Sequence, residues 1–262
     1  MVVLAIETSS TQGSVALWRE GRVLAERSIA QGLRHGALLF VELRGIHEEA
    51  GLRPADVGLI AVSQGPGSYT GIRIGLTAAR TAAYVLGKPL VGVPSLDVLA
   101  HNAPREAERV AALLDAKRGE VYCGLYARSS GGGTGIPSAS LRAGLPVARS
   151  QESGAPQAGS LCHREWAAIE PYRVIRPEAL ILPVPCTVVG DAIARFRGVL
   201  AREGVTLADE AAWRPRASVV AWLGARRFER GERPALHELA PLYLRRPEAE
   251  DVWERKHSKQ DE

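Results

Sequence analysis

Two short stretches hold the residue types from which a phosphate or magnesium site is built. Ile6-Glu7-Thr8-Ser9-Ser10 sets an acid at the end of an apolar run and follows it with three hydroxyl side chains. Amides and hydroxyls there could hold phosphate, and the carboxylate could hold magnesium. Gly65-Pro66-Gly67-Ser68-Tyr69-Thr70-Gly71 places a Gly-rich turn between a strand-like and a helix-like run, which would aim unpaired amides at an anion. No Gly-Lys-Ser/Thr follows, so it is not a Walker motif. Each pattern also has a plain structural reading. The first is equally a hairpin turn rich in Ser, Thr and Gly, and the second a tight connection whose glycines supply positive φ.

Metal and nucleophile chemistry find less support. The six histidines, His35, His47, His101, His163, His237 and His257, never form His-x-x-x-His or His-Glu-x-x-His, the helical spacings that bring two imidazoles to one ion. Cys123, Cys162 and Cys186 are an odd number at wide spacings, which indicates neither a disulfide framework nor a zinc ribbon and suits a reducing cytoplasm. A Gly-x-Ser-x-Gly elbow is absent too, against an α/β-hydrolase. No catalytic residue and no metal ligand is assigned.

The elements that would position these residues alternate in type. The β-branched run 2–6, then 14–18 and 23–29, predict three antiparallel strands. The segment 35–50 is helical, with Leu39, Leu43, Ile46 and Ala50 on one stripe and Leu38 and Val41 on nearly the opposite side. That second apolar side asks for a cover, either a partner helix or another part of the chain. After a buried-type strand at 57–62 comes a helix at 72–86, in which Gly71, Gly75, Ala79 and Ala83 recur every four residues and leave a bare ridge for close helix approach. A strand at 90–93 and a helix at 96–101, capped by Ser95, complete a first lobe over 1–104.

A second lobe over 105–246 opens with strands at 110–115 and 120–127. It continues with Thr187-Val188-Val189-Gly190-Asp191 entering a helix at 193–201, and it has a further helix at 219–230. The 32 positions 129–160 hold seven Gly, seven Ser and three Pro, a composition expected of a flexible insertion. Residues 247–262 form a charged tail.

The chain has 262 residues, 46% hydrophobic and 24% charged, an ordinary globular composition that excludes disorder and collagen. Lys and Arg number 33 against 29 Asp and Glu, a net charge of +4. That balance is a weak hint of an anionic partner, whereas the densest basic cluster, Arg226, Arg227, Arg230 and Arg233, reads as a solvated helix face. No run reaches the length of a membrane span and no secretory leader is expected.

In order, Leu4-Ala5-Ile6-Glu7-Thr8-Ser9, the 65–71 motif continued by Ile72-Arg73-Ile74-Gly75, Gly92-Val93-Pro94-Ser95-Leu96-Asp97, Asp115-Ala116-Lys117-Arg118-Gly119-Glu120-Val121-Tyr122 and Pro241-Leu242-Tyr243-Leu244-Arg245 resemble the bacterial TsaB family. The resemblance is dense to about residue 127 and patchier over 187–246. It implies an α/β protein of actin/hexokinase-like (ASKHA) fold, with two ribonuclease H-like lobes and mixed central sheets. It further implies a non-catalytic subunit of the complex that transfers a threonylcarbamoyl group to adenosine of tRNA.

The implied partner is the catalytic subunit TsaD, with a TsaE-type ATPase in the assembly, tRNA reached through the complex, and a homodimer when the chain is alone. The partner surface carried over is the pair of long helices at 35–50 and 72–86. Leu39, Leu43, Ile46, Gly75, Ala79 and Ala83 would then form half of a four-helix bundle. Glu7, Thr8, Ser9, Gly67, Ser68 and Asp191 would be a degenerate nucleotide or anion site. Glu7 stands where the family has Asp, and Ala192 where nucleotide-binding relatives have a glycine, so at most weak nucleotide binding and no cofactor are expected. The competing reading is a stand-alone ATP-binding enzyme, kinase-like or peptidase-like, of the same superfamily.

Overall fold

The computed structural model describes residues 1–29, 35–128 and 165–245. The expected flexible insertion at 129–160 and the tail at 247–262 lie outside the described residues.

The first sheet contains β1 (Val2–Glu7), β2 (Gly13–Arg19), β3 (Arg22–Ile29), β4 (Val57–Gly65) and β5 (Leu90–Pro94) in the order β3-β2-β1-β4-β5. β1 pairs antiparallel with β2 and parallel with β4. The strands alternate as period two demands. Val2, Leu4 and Ile6 face one layer of core, and Val3 and Ala5 face the other.

The second sheet has β6 (Arg109–Lys117), β7 (Glu120–Arg128), β8 (Trp166–Ala168), β10 (Cys186–Val189) and β11 (Val205–Leu207) in the order β11-β10-β6-β7-β8, with β9 (Arg173–Ile175) also on β7. Here too the first strand, β6, pairs antiparallel with the second, β7, and parallel with a later strand, β10, as β1 does with β2 and β4. The topology of the first lobe is therefore repeated in the second, which is the duplicated architecture of an actin/hexokinase-like fold.

Among the described residues, five α-helices cover the sheets: α1 (His35–Ala50), α2 (Tyr69–Leu86), α3 (Ser95–Ala100), α4 (Ala192–Leu200) and α5 (Ala217–Glu229). Helices α1 and α2 cover one face of the first sheet. The opposite face is covered by α5, through Val220, Ala221 and Ala225 against Val3, Ala5 and Trp18. Reciprocally, Leu96, Leu99 and Ala100 of α3 pack on Val110, Ala112 and Leu114 of the second sheet. Helix α3 lies between the two sheets, with Val98 packed toward the first and Leu96, Leu99 and Ala100 toward the second, and the chain from 217 onward returns to the first. A sheet buried on both faces needs two covering layers, and the chain supplies one of each pair from the other lobe.

Local chemistry sets the helix ends. Ser68 Oγ accepts from Gly71 N at 3.2 Å, and Gly87 closes α2 in a left-handed conformation with φ 62°, the usual polar start and glycine stop. Ser95 is the first residue of α3 and not its cap. That position falls to Pro94, whose fixed φ suits a helix entrance.

Candidate functional site

Glu7 ends β1 fully buried. Its Oε1 accepts from Ser9 N at 2.6 Å and from Ser9 Oγ at 2.7 Å, while Oε2 has no hydrogen-bond partner among the described residues. Burial pushes the carboxyl above its ordinary range, and the Ser9 hydrogen bonds pull it partly back.

The glycine-rich turn lies directly on this hairpin turn. Ser68 N donates to Ser9 O at 2.7 Å, and Thr8 Oγ1 donates to Gly71 O at 2.8 Å. A Cβ on Gly67 would come 2.1 Å from Ser9 O, one on Gly71 2.0 Å from Thr8 O, and one on Gly75 2.1 Å from Thr8 Oγ1. The structure thus joins Glu7, Thr8, Ser9, Gly67 and Ser68 in one cluster, and most of its donors are spent inside it. Ser9 N serves Glu7, Ser68 N serves Ser9, Gly71 N serves Ser68 Oγ and Ile72 N serves Ser68 O. Two hydrogen bonds, Ser68 N to Ser9 O and Thr8 Oγ1 to Gly71 O, join the two patterns.

Asp191 belongs to the second lobe. Its Oδ1 accepts from Asp115 N at 2.9 Å, and burial raises its pKa. Asp115 in turn faces Lys117 Nζ at 3.1 Å and Arg195 Nη1 at 3.5 Å.

The six residues expected on a partner surface lie elsewhere than expected. Leu39 and Ile46 are buried in the core under α1, with Leu43 packed against it. Ala79 and Ala83 are buried in the same core, and Gly75 is buried against Thr8 and Ile6. The small-residue ridge lets α2 approach β1 of its own lobe, so five of the six pack in this chain's own core and Leu43 is half-buried at its edge. What the two helices turn outward is Phe40 and Val41 from α1 and Tyr84 and Val85 from α2.

Sequence reasoning passed over Asp97 as a chemical group. It is buried on α3, and Oδ1 accepts from Tyr126 OH at 2.8 Å and Tyr172 OH at 2.5 Å. Burial raises its pKa against the pull of the two tyrosines. His101 Nδ1 lies 2.7 Å from Asp97 O, its ring meets Trp222 edge-on, and burial pushes its pKa down to about 4. The available signal was a lone acid in the otherwise apolar run Leu96, Val98, Leu99 and Ala100. Asp97, His101, Trp166 and Trp222 border a cavity of about 30 Å³, room for about two water molecules. Among the described residues, no group of three or more His, Cys, Asp or Glu could hold a metal ion.

Two lobes of one topology define a protein of the actin/hexokinase-like class. Residues 23–253 match the family model described as TsaD, tRNA N6-adenosine threonylcarbamoyltransferase, and the chain belongs to that family. Its relatives include proteins named tRNA threonylcarbamoyladenosine biosynthesis protein TsaB. The one from Bacillus subtilis is 38% identical over 131 residues, 50% of this chain and 57% of that protein. The one from Escherichia coli is 37% identical over 134 residues, 50% and 58% of the two chains. The chain spans a little over half the length of these curated relatives. The solved structure of YeaZ from Pseudomonas aeruginosa superposes with a TM-score of 0.71 at 28% identity, covering 93% of this chain and 99% of that one.

Proposed function

We propose that this chain is the non-catalytic, partner-binding subunit of a complex that transfers a threonylcarbamoyl group to adenosine of tRNA. The observation that carries the reading is the apolar strip on α1 and α2. Phe40 and Val41 are 63% and 58% exposed, and Tyr84 and Val85 are 80% and 71% exposed. Large apolar side chains concentrated on two adjoining helices mark an interaction surface, and two helices of another chain would complete a four-helix arrangement.

The names of the relatives supply the reaction, and the family supplies the partner, a TsaD-type catalytic chain. A TsaE-type ATPase joins the assembly, tRNA is reached through the complex, and the compartment is the cytoplasm. No helix among the described residues is long and apolar enough to cross a membrane. A second copy on the same face gives an isologous homodimer when the chain is alone. The role is non-catalytic, with weak nucleotide binding and no cofactor, a reading supported by the first-lobe cluster, in which Ser9 N, Ser9 Oγ, Thr8 Oγ1 and Ser68 N are engaged within the chain.

The test is size exclusion with light scattering on the full chain mixed with its TsaD-type partner, beside a tRNA modification assay. Wild type forms a heterodimer and supports modification, and Tyr84→Arg abolishes both while leaving the fold intact. Full-rate modification without this chain would end the reading. Magnesium-dependent ATP binding to the isolated chain, lost in Glu7→Ala, would replace it with the stand-alone enzyme.

A further inference from the structure

The last described residues form a continuous series of contacts that begins on the first lobe and ends on the second. Leu239 O accepts from Arg80 of α2. Leu242 N donates to Gln64 O at 2.7 Å. A Cβ on Gly65, whose φ is 102°, would stand 2.9 Å from Leu242 O, so the 239–245 segment lies against the glycine-rich turn backbone to backbone. Tyr243 stacks on Tyr69 with ring centroids 5.1 Å apart and accepts from Arg73 Nε at 3.1 Å, and the Arg73 guanidinium sits 4.0 Å above the Tyr69 ring. Two residues on, Arg245 leaves the first lobe. Its Nη1 donates to Ala116 O at 3.0 Å, and its guanidinium pairs with Glu120 at the β6–β7 turn.

A second arginine crosses between the lobes on the other side of β1. Arg214 Nη1 donates to Gln12 Oε1 in the β1–β2 turn at 2.7 Å, and its carbonyl accepts from Asn102 Nδ2 at 2.6 Å. Gln64 lies near the end of β4 and Gln12 in the turn from β1 to β2, so the two crossings flank the central strand. The two crossings add to the packing of α3 between the lobes and to the pairing of Arg226 with Glu165, and they hold the lobes from opposite sides of β1.

We infer that the 239–245 segment is a strap that locks the two lobes at one angle, with Arg245 as its latch on the second lobe and the Tyr243–Arg73–Tyr69 stack as its anchor on the first. A ligand between the lobes is then not required to hold them closed, and the lobe angle answers to whatever engages or frees Arg245. The latch is suited to release. The Arg245 and Glu120 side chains keep 23% and 30% of their surface in solvent, so water reaches the latch, while the anchor end is held by ring stacking and backbone contacts. The inference rests on these contacts alone and is independent of the proposed function.

Its test is the inter-lobe distance in the full chain, read by paired spin labels at Arg44→Cys on α1 and Glu203→Cys after α4 in a Cys162→Ser background, with Arg245→Ala as the variant. Wild type gives one narrow distribution, and Arg245→Ala broadens it and shifts it to longer distance. Glu120→Gln, which leaves the strap whole and removes only its acceptor, produces the same broadening to a smaller extent. Amide exchange at 115–120 speeds up about fivefold in Arg245→Ala with no change in the core of either sheet. Distance distributions of both folded variants superimposable on wild type would overturn the inference. So would exchange that rises uniformly through both lobes, since that marks a stability residue and not a latch.

Discussion

Thr8 and Gly71 meet twice: Thr8 Oγ1 donates to the Gly71 carbonyl at 2.8 Å, and a Cβ on Gly71 would come within 2.0 Å of the Thr8 carbonyl oxygen. The contact is between backbones, so no rotamer change could relieve a larger residue. Gly75, one turn further along α2, faces Thr8 Oγ1 in the same way. The glycines therefore join the helix to the first hairpin turn by removing side chains from the seam.

Gly71→Ala is accordingly expected to destabilise the first lobe by about 3 kcal/mol, the upper range for forcing extra atoms into a packed interior. Gly36→Ala, where an added Cβ meets nothing within 4 Å, is the matched control and changes stability little. Chemical unfolding of the two variants separates a close-approach glycine from a merely flexible one.

Glu7→Gln is expected to stabilise the protein at neutral pH by about 1 kcal/mol, the scale of one buried oxygen without a partner. The amide keeps the acceptor for Ser9 and removes a buried charge. Because burial raises the folded-state pKa, the folded protein holds this proton to higher pH than the unfolded chain does. The wild-type carboxyl therefore costs stability as pH rises above the ordinary value of 4.5. Unfolding curves of the two proteins should converge near pH 4 and separate toward pH 7.

His101 acts in the opposite sense. Its folded-state pKa of about 4 lies below the ordinary 6.5, so the unfolded chain takes up a proton first. The stability held above pH 6.5 is lost as pH falls toward 4, by about 3 kcal/mol over the whole window. His101→Gln should flatten that part of the wild-type stability profile, and the imidazole resonances of wild type should stay those of the neutral ring to about pH 4.

The main elements were legible in the sequence wherever a period persisted long enough. The bounds of α1 coincide with the expected helix at 35–50. Helix α2 begins three residues before the expected 72 because Ser68, inside the glycine-rich motif, is its cap. The three-residue strands β8, β9 and β11 went unread, since so short a run shows no alternation and the first two lie near Pro171 and Pro185 in a stretch broken by prolines. Each is a strand because a neighbour of its sheet offers it hydrogen bonds.

The candidate cluster was half legible. The sequence marked Glu7, Thr8, Ser9, Gly67 and Ser68 as two separate groups with anion-binding chemistry, but contact between residues some 60 positions apart has no local signal. That contact decides where their donors go. Asp97 shows the converse, an acid whose meaning depends on Tyr126 and Tyr172, residues that other elements bring to it.

The sequence by itself determined the longer strands and helices, the residues that share each helix face, and the motifs that carry the family resemblance, because all of these are written in local spacing. Only the tertiary structure decided which face turns inward. The stripe of Leu39 and Ile46 and the ridge of Gly75, Ala79 and Ala83 are periodic whether they meet the chain's own sheet or a partner. The sheet claims them because it lies in the same chain and closes over them as the lobe folds, which leaves Phe40, Val41, Tyr84 and Val85 outside. The same holds for α5 and the terminal strap, whose return to the first lobe follows from an uncovered sheet face some 200 residues earlier in the chain.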